Sequence, residues 1–376
     1  MNEASDPAEK QLKRWPFRPR WRIEGCLFTC TSLHIGSGQV VFHPDLEQEG
    51  RLVKISAHVT DHTGRASLPG SALKGGMRAW AMERCSQDPS HLRLCETLFG
   101  KGSDKNNKED LSQGGLAEFH DLRLSVTRTE PTPLPHWNER RQTWIEASNS
   151  IDRHTRTAAD QHLIHTECVP AGVGFDLTIS GWAEPDDNSA DQLLTFLLTI
   201  LEGFNDAEDP ILLGADTASG KGKVGWRLGQ VFKMTKEDVA TWVKNRNRQM
   251  AELELPSVDI HRLNSPFKDK VIFTSPKDLL TIPITLYFDS HFLVNDPPSQ
   301  REIDEAEDNS SSTDQSDQTE DRPTVPNHRP RRDELGDVIL PAKSFKGALR
   351  SQAEQILRTL QINPFACDPS DSNKIN

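Results

Sequence analysis

Near the start of the chain stands the run Leu68-Pro-Gly-Ser-Ala-Leu-Lys-Gly-Gly-Met-Arg78, and near the other end it returns as Leu340-Pro-Ala-Lys-Ser-Phe-Lys-Gly-Ala-Leu-Arg350. The copies lie 272 positions apart (340 − 68) and share a Leu-Pro opening, a bulky apolar residue, Lys-Gly and a closing arginine. So many unlike residue types at one offset mark an internal duplication, and a duplicated chain folds as two related units.

Each copy reads as the start of a helix. Pro69 and Gly70 end a strand, Ser71 is placed to cap, and Leu73, Met77 and Trp80 then recur at i, i+4 and i+7. Lys74 and Arg78 lie one turn apart on a neighbouring face. A helix N-terminus offers free N–H groups and partial positive charge, which two cations extend, so the run suits a phosphate. Gly75 and Gly76 cost the helix about 1 kcal/mol each, which implies that something approaches the backbone closely. The second copy offers Lys343, Lys346 and Arg350 in the same role.

At 376 residues the chain holds two units, each able to bury a core. Its longest apolar run, Leu193 to Leu201, contains two threonines and is about half a membrane span. The N-terminus lacks the basic start and apolar stretch of a signal peptide, so a cytoplasmic protein with no membrane partner is expected. The net charge of −12 is unevenly spread. Ten acids and one base lie between Asp296 and Asp321, a local −9, which leaves −3 for the rest and room for basic patches. The six cysteines form no Cys-x-x-Cys pair and are expected as thiols. Cys85, His91 and Cys95 are near enough in sequence to raise a zinc question, although their spacing matches no standard finger.

Residues 1–20 read as an extended arm. Residues 21–234 then give strand, helix, strand, strand, helix, strand, the order of a ferredoxin-like (RRM-like) α+β sandwich. Its parts are a strand from Trp21 to about Thr31, a turn at Leu33 to Gly38, a hairpin arm from Leu52 to Val59 and the helix of the opening run. A strand over Leu116–Val126, a strand over Phe175–Trp182, a buried helix capped by Ser189 and a strand after Gly225 complete it. Residues 127–169, with three prolines and many charges, form a protruding excursion. Residues 235–280 are a linker with a helix over Lys236–Leu253. A second unit begins at Thr281 and runs to 376, with an acidic, Ser-rich insertion over 297–333 that is too polar to bury a core. It has no second glycine loop, so it is expected as an incomplete unit, either truncated or finished by another chain.

Gly220-Lys-Gly-Lys-Val-Gly225 satisfies G-x-G-x-x-G, but the residues that follow alternate as a strand rather than opening a helix, which argues against a dinucleotide site. With Gly214 nearby, the loop suits phosphate contact through backbone N–H groups and through Lys221 and Lys223.

The ordered set of Leu33-His-Ile-Gly, Leu68-Pro-Gly-Ser-Ala-Leu-Lys-Gly, Leu98-Phe-Gly, Ile151-Asp-Arg-His-Thr, Glu167-Cys-Val-Pro-Ala-Gly-Val-Gly-Phe175 and the glycine loop resembles the RAMP superfamily of CRISPR-associated proteins. In particular it resembles a tandem-fused form of the guide-coating backbone subunits of type III effector complexes. The resemblance covers residues 21–234 in full and 281–360 in part. It implies RAMP domains in tandem, with guide RNA, target RNA and other effector subunits as partners. It places Ser71, Lys74, Arg78, Lys221, Lys223, Lys343, Lys346 and Arg350 on the RNA backbone, with His34 as a further RNA-binding residue. It also makes the excursion a thumb hairpin, whose His154, His162 and His165 would stack on or hydrogen-bond to bases.

Relatives of this kind often cleave target RNA with an aspartate in the loop before the opening helix. Such a carboxylate binds a divalent cation such as Mg2+ or positions the 2′-hydroxyl for in-line attack. Asp45 is the expected residue in the first unit, although the local pattern departs from the family's, and Asp61 belongs to a turn. In the second unit Asp321 comes first and Asp296 second. The alternatives are a purely structural subunit and a guide-processing endoribonuclease, for which no compact acid/base set is evident. A generic ferredoxin-like RNA binder is disfavoured because the strands lack paired aromatics for an exposed sheet.

Overall fold

The computed structural model describes residues 18–48, 51–86, 88–102, 112–128, 134, 136–151, 158–183, 187–234, 238, 282–294, 329–332 and 337–360. The linker helix, most of the acidic insertion, Asp296, Asp321 and His154 lie outside the described residues. The fold is mixed α+β, and no helix among the described residues is long and apolar enough to cross a membrane.

Strands form where residues alternate in character, and the main sheet gathers the clearest cases. β1 (Arg20–Thr29), β8 (Leu122–Val126), β11 (Gly174–Trp182) and β12 (Val224–Met234) join in the order β12-β1-β11-β8, extended by the short β4 (Ser67–Leu68). Their pairings are antiparallel. One face buries Trp21, Ile23, Leu27, Phe175, Leu177 and Ile179. Against it lie α1 (Gly70–Cys85) and α3 (Asp187–Glu202), which contribute Leu73, Met77 and Ala81, and Leu194, Phe196 and Leu197. At about 1.5–3 kcal/mol for each large apolar side chain removed from water, this cluster supplies most of the driving force. α2 (Pro89–Phe99) packs beside α1, capped by Asp88, whose side chain accepts from the Ser90 and His91 N–H groups.

The expected strand over Leu116–Val126 is split into β7 (Ala117–Phe119) and β8, both paired with β11. The break at His120-Asp121 has a purpose in the fold, described below.

A second sheet was not legible in sequence. β2 (Gly36–Gln48), β3 (Arg51–His58), β10 (Ala158–Cys168) and β9 (Trp144–Ile151) join in the order β2-β3-β10-β9, with β3 and β10 parallel. The expected turn at Leu33–Gly38 therefore passes straight into a strand. The β2–β3 register shifts between Phe42 and Glu47, a stretch that holds Pro44, which has no N–H to offer a ladder. β9 and β10 are the two arms of the excursion, and their paired ends are part of this sheet.

Of the expected second unit, residues 282–294, 329–332 and 337–360 are described. α4 (Ala342–Thr359) forms where the repeated run predicts it. Residues 282–294, expected to open with a strand, form none, and Ile282, Ile284, Leu286, Tyr287 and Phe288 are exposed. A strand needs a neighbour along its length to satisfy its backbone, and among the described residues this segment meets one only at its end, where the Arg331 N–H donates to Val294 O at 2.8 Å.

Candidate functional site

The opening run does form a helix, but its N-terminus differs from expectation. Pro69 is the N-cap residue and makes no side-chain cap bond, while Ser71 lies exposed inside the first turn. The carboxylate of Asp121, freed by the break between β7 and β8, accepts from the Gly70 N–H at 2.8 Å. The partial positive charge of this helix end is thus already met by a side chain from 51 residues downstream. Lys74 and Arg78 are half-buried one turn apart, and among the described residues no carboxylate pairs with either.

Gly76 allows a close approach, but by protein. A Cβ there would meet Leu213 Cδ2 at 2.8 Å and Leu212 O at 3.4 Å, whereas Gly75 faces open space. The segment that presses on Gly76 leads into the glycine loop, so the helix and the loop are packed together.

The glycine loop folds back on the segment after β1. Gly222 N–H donates to Ser32 O, Ala215 N–H donates to His34 O, and the Cys30 and Thr31 N–H groups donate to Lys223 O. Gly214 and Gly222 have φ of 81° and 79°, and a Cβ on either would lie within 2.3 Å of a backbone oxygen. Chain packing alone requires both glycines, without any ligand.

The two loop lysines part company. Lys221 turns inward at 8% exposure, with Nζ 2.6 Å from Glu146 Oε2 on β9 and 3.6 Å from Asp216 Oδ2. Burial works against its charge, but the carboxylates of Glu146 and Asp216 help to outweigh that, and its pKa lies above the ordinary lysine value. Burial pushes the Cys168 thiol up to about 12, so it is neutral. Lys223 stays half-buried nearer the surface. Lys343, from the second copy of the run, reaches Asp216 Oδ2 at 2.6 Å and ties α4 to the loop of the first unit. Although burial opposes it, that contact helps hold the Asp216 carboxyl below its usual range. Lys346 is exposed on α4, and Arg350 Nε pairs with Glu354 at 3.2 Å.

His34 faces the interior at 6% exposure. Its Nδ1 lies 2.7 Å from Glu167 O, a carbonyl that can only accept, so Nδ1 donates, and Nε2 lies 3.3 Å from Ser56 Oγ. Both ring nitrogens are taken up by protein. Asp45 lies on β2, its side chain outside the description. Asp61 shapes its turn, with Oδ1 accepting from the Thr63 and Arg65 N–H groups, as the sequence suggested. His165 is half-buried on β10, its pKa lowered by burial and by His43. Of the three residues that raised a zinc question, the structure brings Cys85 and Cys95 into side-chain contact, while His91 Nδ1 is 3.1 Å from Asp88; among the described residues no three His, Cys, Asp or Glu side chains form a metal-ligand group.

Sequence reasoning missed Asp121, Glu146, Asp216 and Glu167, the acids that organise these cations. Asp121, Glu146 and Glu167 act on residues distant in the chain, and Asp216 stands beside the glycine loop, where only the packing shows that it meets Lys221 and Lys343.

No curated protein matches the chain. Among solved structures, a chain of the type III-B Cmr-beta apo-state cryo-EM structure is similar over 55% of this chain and 96% of its own length, at 14% identity and a TM-score of 0.39. The RAMP superfamily model matches residues 27–225, from β1 through the glycine loop and more than half of the chain, and the chain belongs to the RAMP superfamily.

Proposed function

We propose that the chain is a guide-RNA-coating backbone subunit of a type III CRISPR effector, built on a ferredoxin-like RAMP domain whose excursion serves as a thumb. The observation that carries this reading is the pair Lys74 and Arg78 on α1, which no carboxylate among the described residues pairs with and which is packed beside the glycine loop; the same residue types recur 272 positions later at Lys346 and Arg350. The β12-β1-β11-β8 order supports the ferredoxin-like assignment, and the ordered motifs support the type III assignment. The cytoplasm and a set of neighbouring effector subunits belong to the same proposal.

Coating a guide means neutralising its phosphates, so affinity should fall steeply with salt. Lys74→Ala/Arg78→Ala removes two such contacts. The expected result is a log–log salt slope shallower by about 1.4, from about 0.7 per phosphate on a single strand, with affinity lower for every guide sequence tried. Filter binding across salt concentrations measures it, and an unchanged slope would remove α1 from the RNA path.

Target cleavage is the second half of the proposal, with Asp45 and Asp321 as the carboxylates. The described residues offer no ligand set for a divalent cation, so a metal role would rest on acids outside them. In a reconstituted complex, Asp45→Ala/Asp321→Ala should reduce cleavage of paired target by about 100-fold or more while leaving guide binding intact. Undiminished product on a denaturing gel would leave a purely structural subunit.

A further inference from the structure

α1 and α3 cover one face of the main sheet, and the opposite face carries a feature that the strands did not reveal in sequence. Arg20, Arg22, Cys26 and Phe28 of β1 point to it, opposite Trp182 of β11 and Phe232 and Arg227 of β12. Three arginines stand over three aromatic rings: Arg20 is 4.5 Å from the Trp182 ring, Arg22 is 4.8 Å from Phe232, and Arg227 is 5.9 Å from Phe28. The expectation that the exposed sheet lacks paired aromatics is therefore corrected. The rings lie on three strands up to 204 residues apart (232 − 28), and only the sheet order brings them side by side.

We propose that this face is a second nucleic-acid surface, on which unpaired bases of a single-stranded RNA stack against the guanidinium–aromatic pairs. It rests on the reading of the chain as an RNA-binding RAMP protein, but it lies across the sheet from α1, so it takes a different segment of RNA. Every base has a π face, and both aromatic rings and arginine planes stack on it. The rings are half-buried, which fixes them as a floor, while Arg20 and Arg227 are exposed and able to swing toward phosphate. Along β1 the pairs span about 27 Å, from Arg20 to Phe28 at about 3.4 Å per residue. That length suits a few splayed nucleotides.

Charge favours RNA over a protein occupant. Arg20, Arg22, Arg123 and Arg227 share the face with Glu24, Asp176 and Glu118, and Glu24 is held by Arg22 at 2.9 Å.

The experiment uses the full chain and a short mixed-sequence RNA carrying 4-thiouridine, free or annealed into a duplex. The expected result is photo-cross-linking of the single strand to peptides of β1, β11 or β12, and a loss of affinity of about tenfold in Arg227→Ala/Phe232→Ala, one stacked base being worth that much. The duplex, whose bases are already stacked, should cross-link poorly there. Cross-links confined to α1 and the glycine loop, with the variant binding as the wild type does, would overturn this surface and leave the guide-coating function standing. A change in self-association with RNA affinity unchanged would overturn it in favour of a protein interface. If no RNA binds and Lys74→Ala/Arg78→Ala has no effect, the functional reading itself falls.

Discussion

Glu167→Ala should destabilise the protein by about 3–5 kcal/mol, because a buried N–H and a buried hydroxyl left without their acceptor cost about 1–3 kcal/mol each and the half-exposed Arg141 loses its partner. Glu167 is 4% exposed and serves as a hub. Its Oε2 accepts from the His58 N–H at 2.9 Å and from Arg141 Nη2 at 3.0 Å, and its Oε1 accepts from Thr143 Oγ1 at 2.7 Å. Its backbone oxygen holds His34. The carboxylate thus joins β10 to β3 and to the turn at residues 138–143, while the backbone carbonyl of the same residue holds the segment on which the glycine loop rests. Alanine leaves a buried N–H, a hydroxyl and a guanidinium without their acceptor. Glu167→Gln keeps one accepting oxygen but loses the charge and turns an NH2 group toward donors at the other position, so its cost should lie below alanine's, at about 1–3 kcal/mol. Urea denaturation at neutral pH, with the m-value checked for constancy, separates the two. An alanine variant within about 1 kcal/mol of wild type would show that the hub is not what joins the sheets.

The hub also bears on function. The phosphate-facing parts proposed here, α1 and the glycine loop, are held by contacts that begin at Ser32 and His34, and His34 is oriented by Glu167. A variant that loosens Glu167 should therefore weaken RNA binding without any contact to RNA, and stability must be measured before such a loss is assigned to a binding residue.

Local pattern was enough to find some elements and not others. β1, β11, β12, α1 and α3 were legible because alternation and the 3.6-residue period report burial directly, and each is buried on one face or nearly all round. β2 was hidden by Gly36, Gly38 and Pro44, residues that read as a turn when no partner strand is in view. The cap on α1 was misplaced because Ser71 is a good local candidate, whereas Asp121 wins through a tertiary contact. The glycine loop shows the same limit in charge. Lys221 and Lys223 are two residues apart and look equivalent, yet Glu146 and Asp216 draw the first inward and leave the second outside. Residue type suggested a cation site, and only the packing of distant acids decides which cations remain available to RNA.

The second large effect concerns acid. Burial drives the pKa of His58 down from 6.5 to about 3, with the positive potential of His34 and Arg141 adding to it, while its Nδ1 accepts from the Ile35 N–H at 3.1 Å. The folded protein therefore keeps this ring neutral while the unfolded chain protonates it near 6.5. Below that pH the unfolded state binds one more proton than the native state. Stability then falls with pH by up to about 1.4 kcal/mol per unit. The loss runs from about pH 6.5 to about pH 3 and levels off once the folded ring also protonates. Carboxylates of the unfolded chain titrate in the lower part of this window, so the wild-type curve alone does not isolate His58. His58→Asn does, because Oδ1 can still accept from Ile35 while the side chain no longer titrates. Measured by urea unfolding, the stability difference between wild type and variant should shift toward the variant by roughly 3 kcal/mol between pH 7 and pH 4, about 1.4 kcal/mol for each unit below 6.5. A difference that stays constant across that range would mean that His58 protonates in the folded protein, and that the junction of β3 with the segment carrying the glycine loop is open to water.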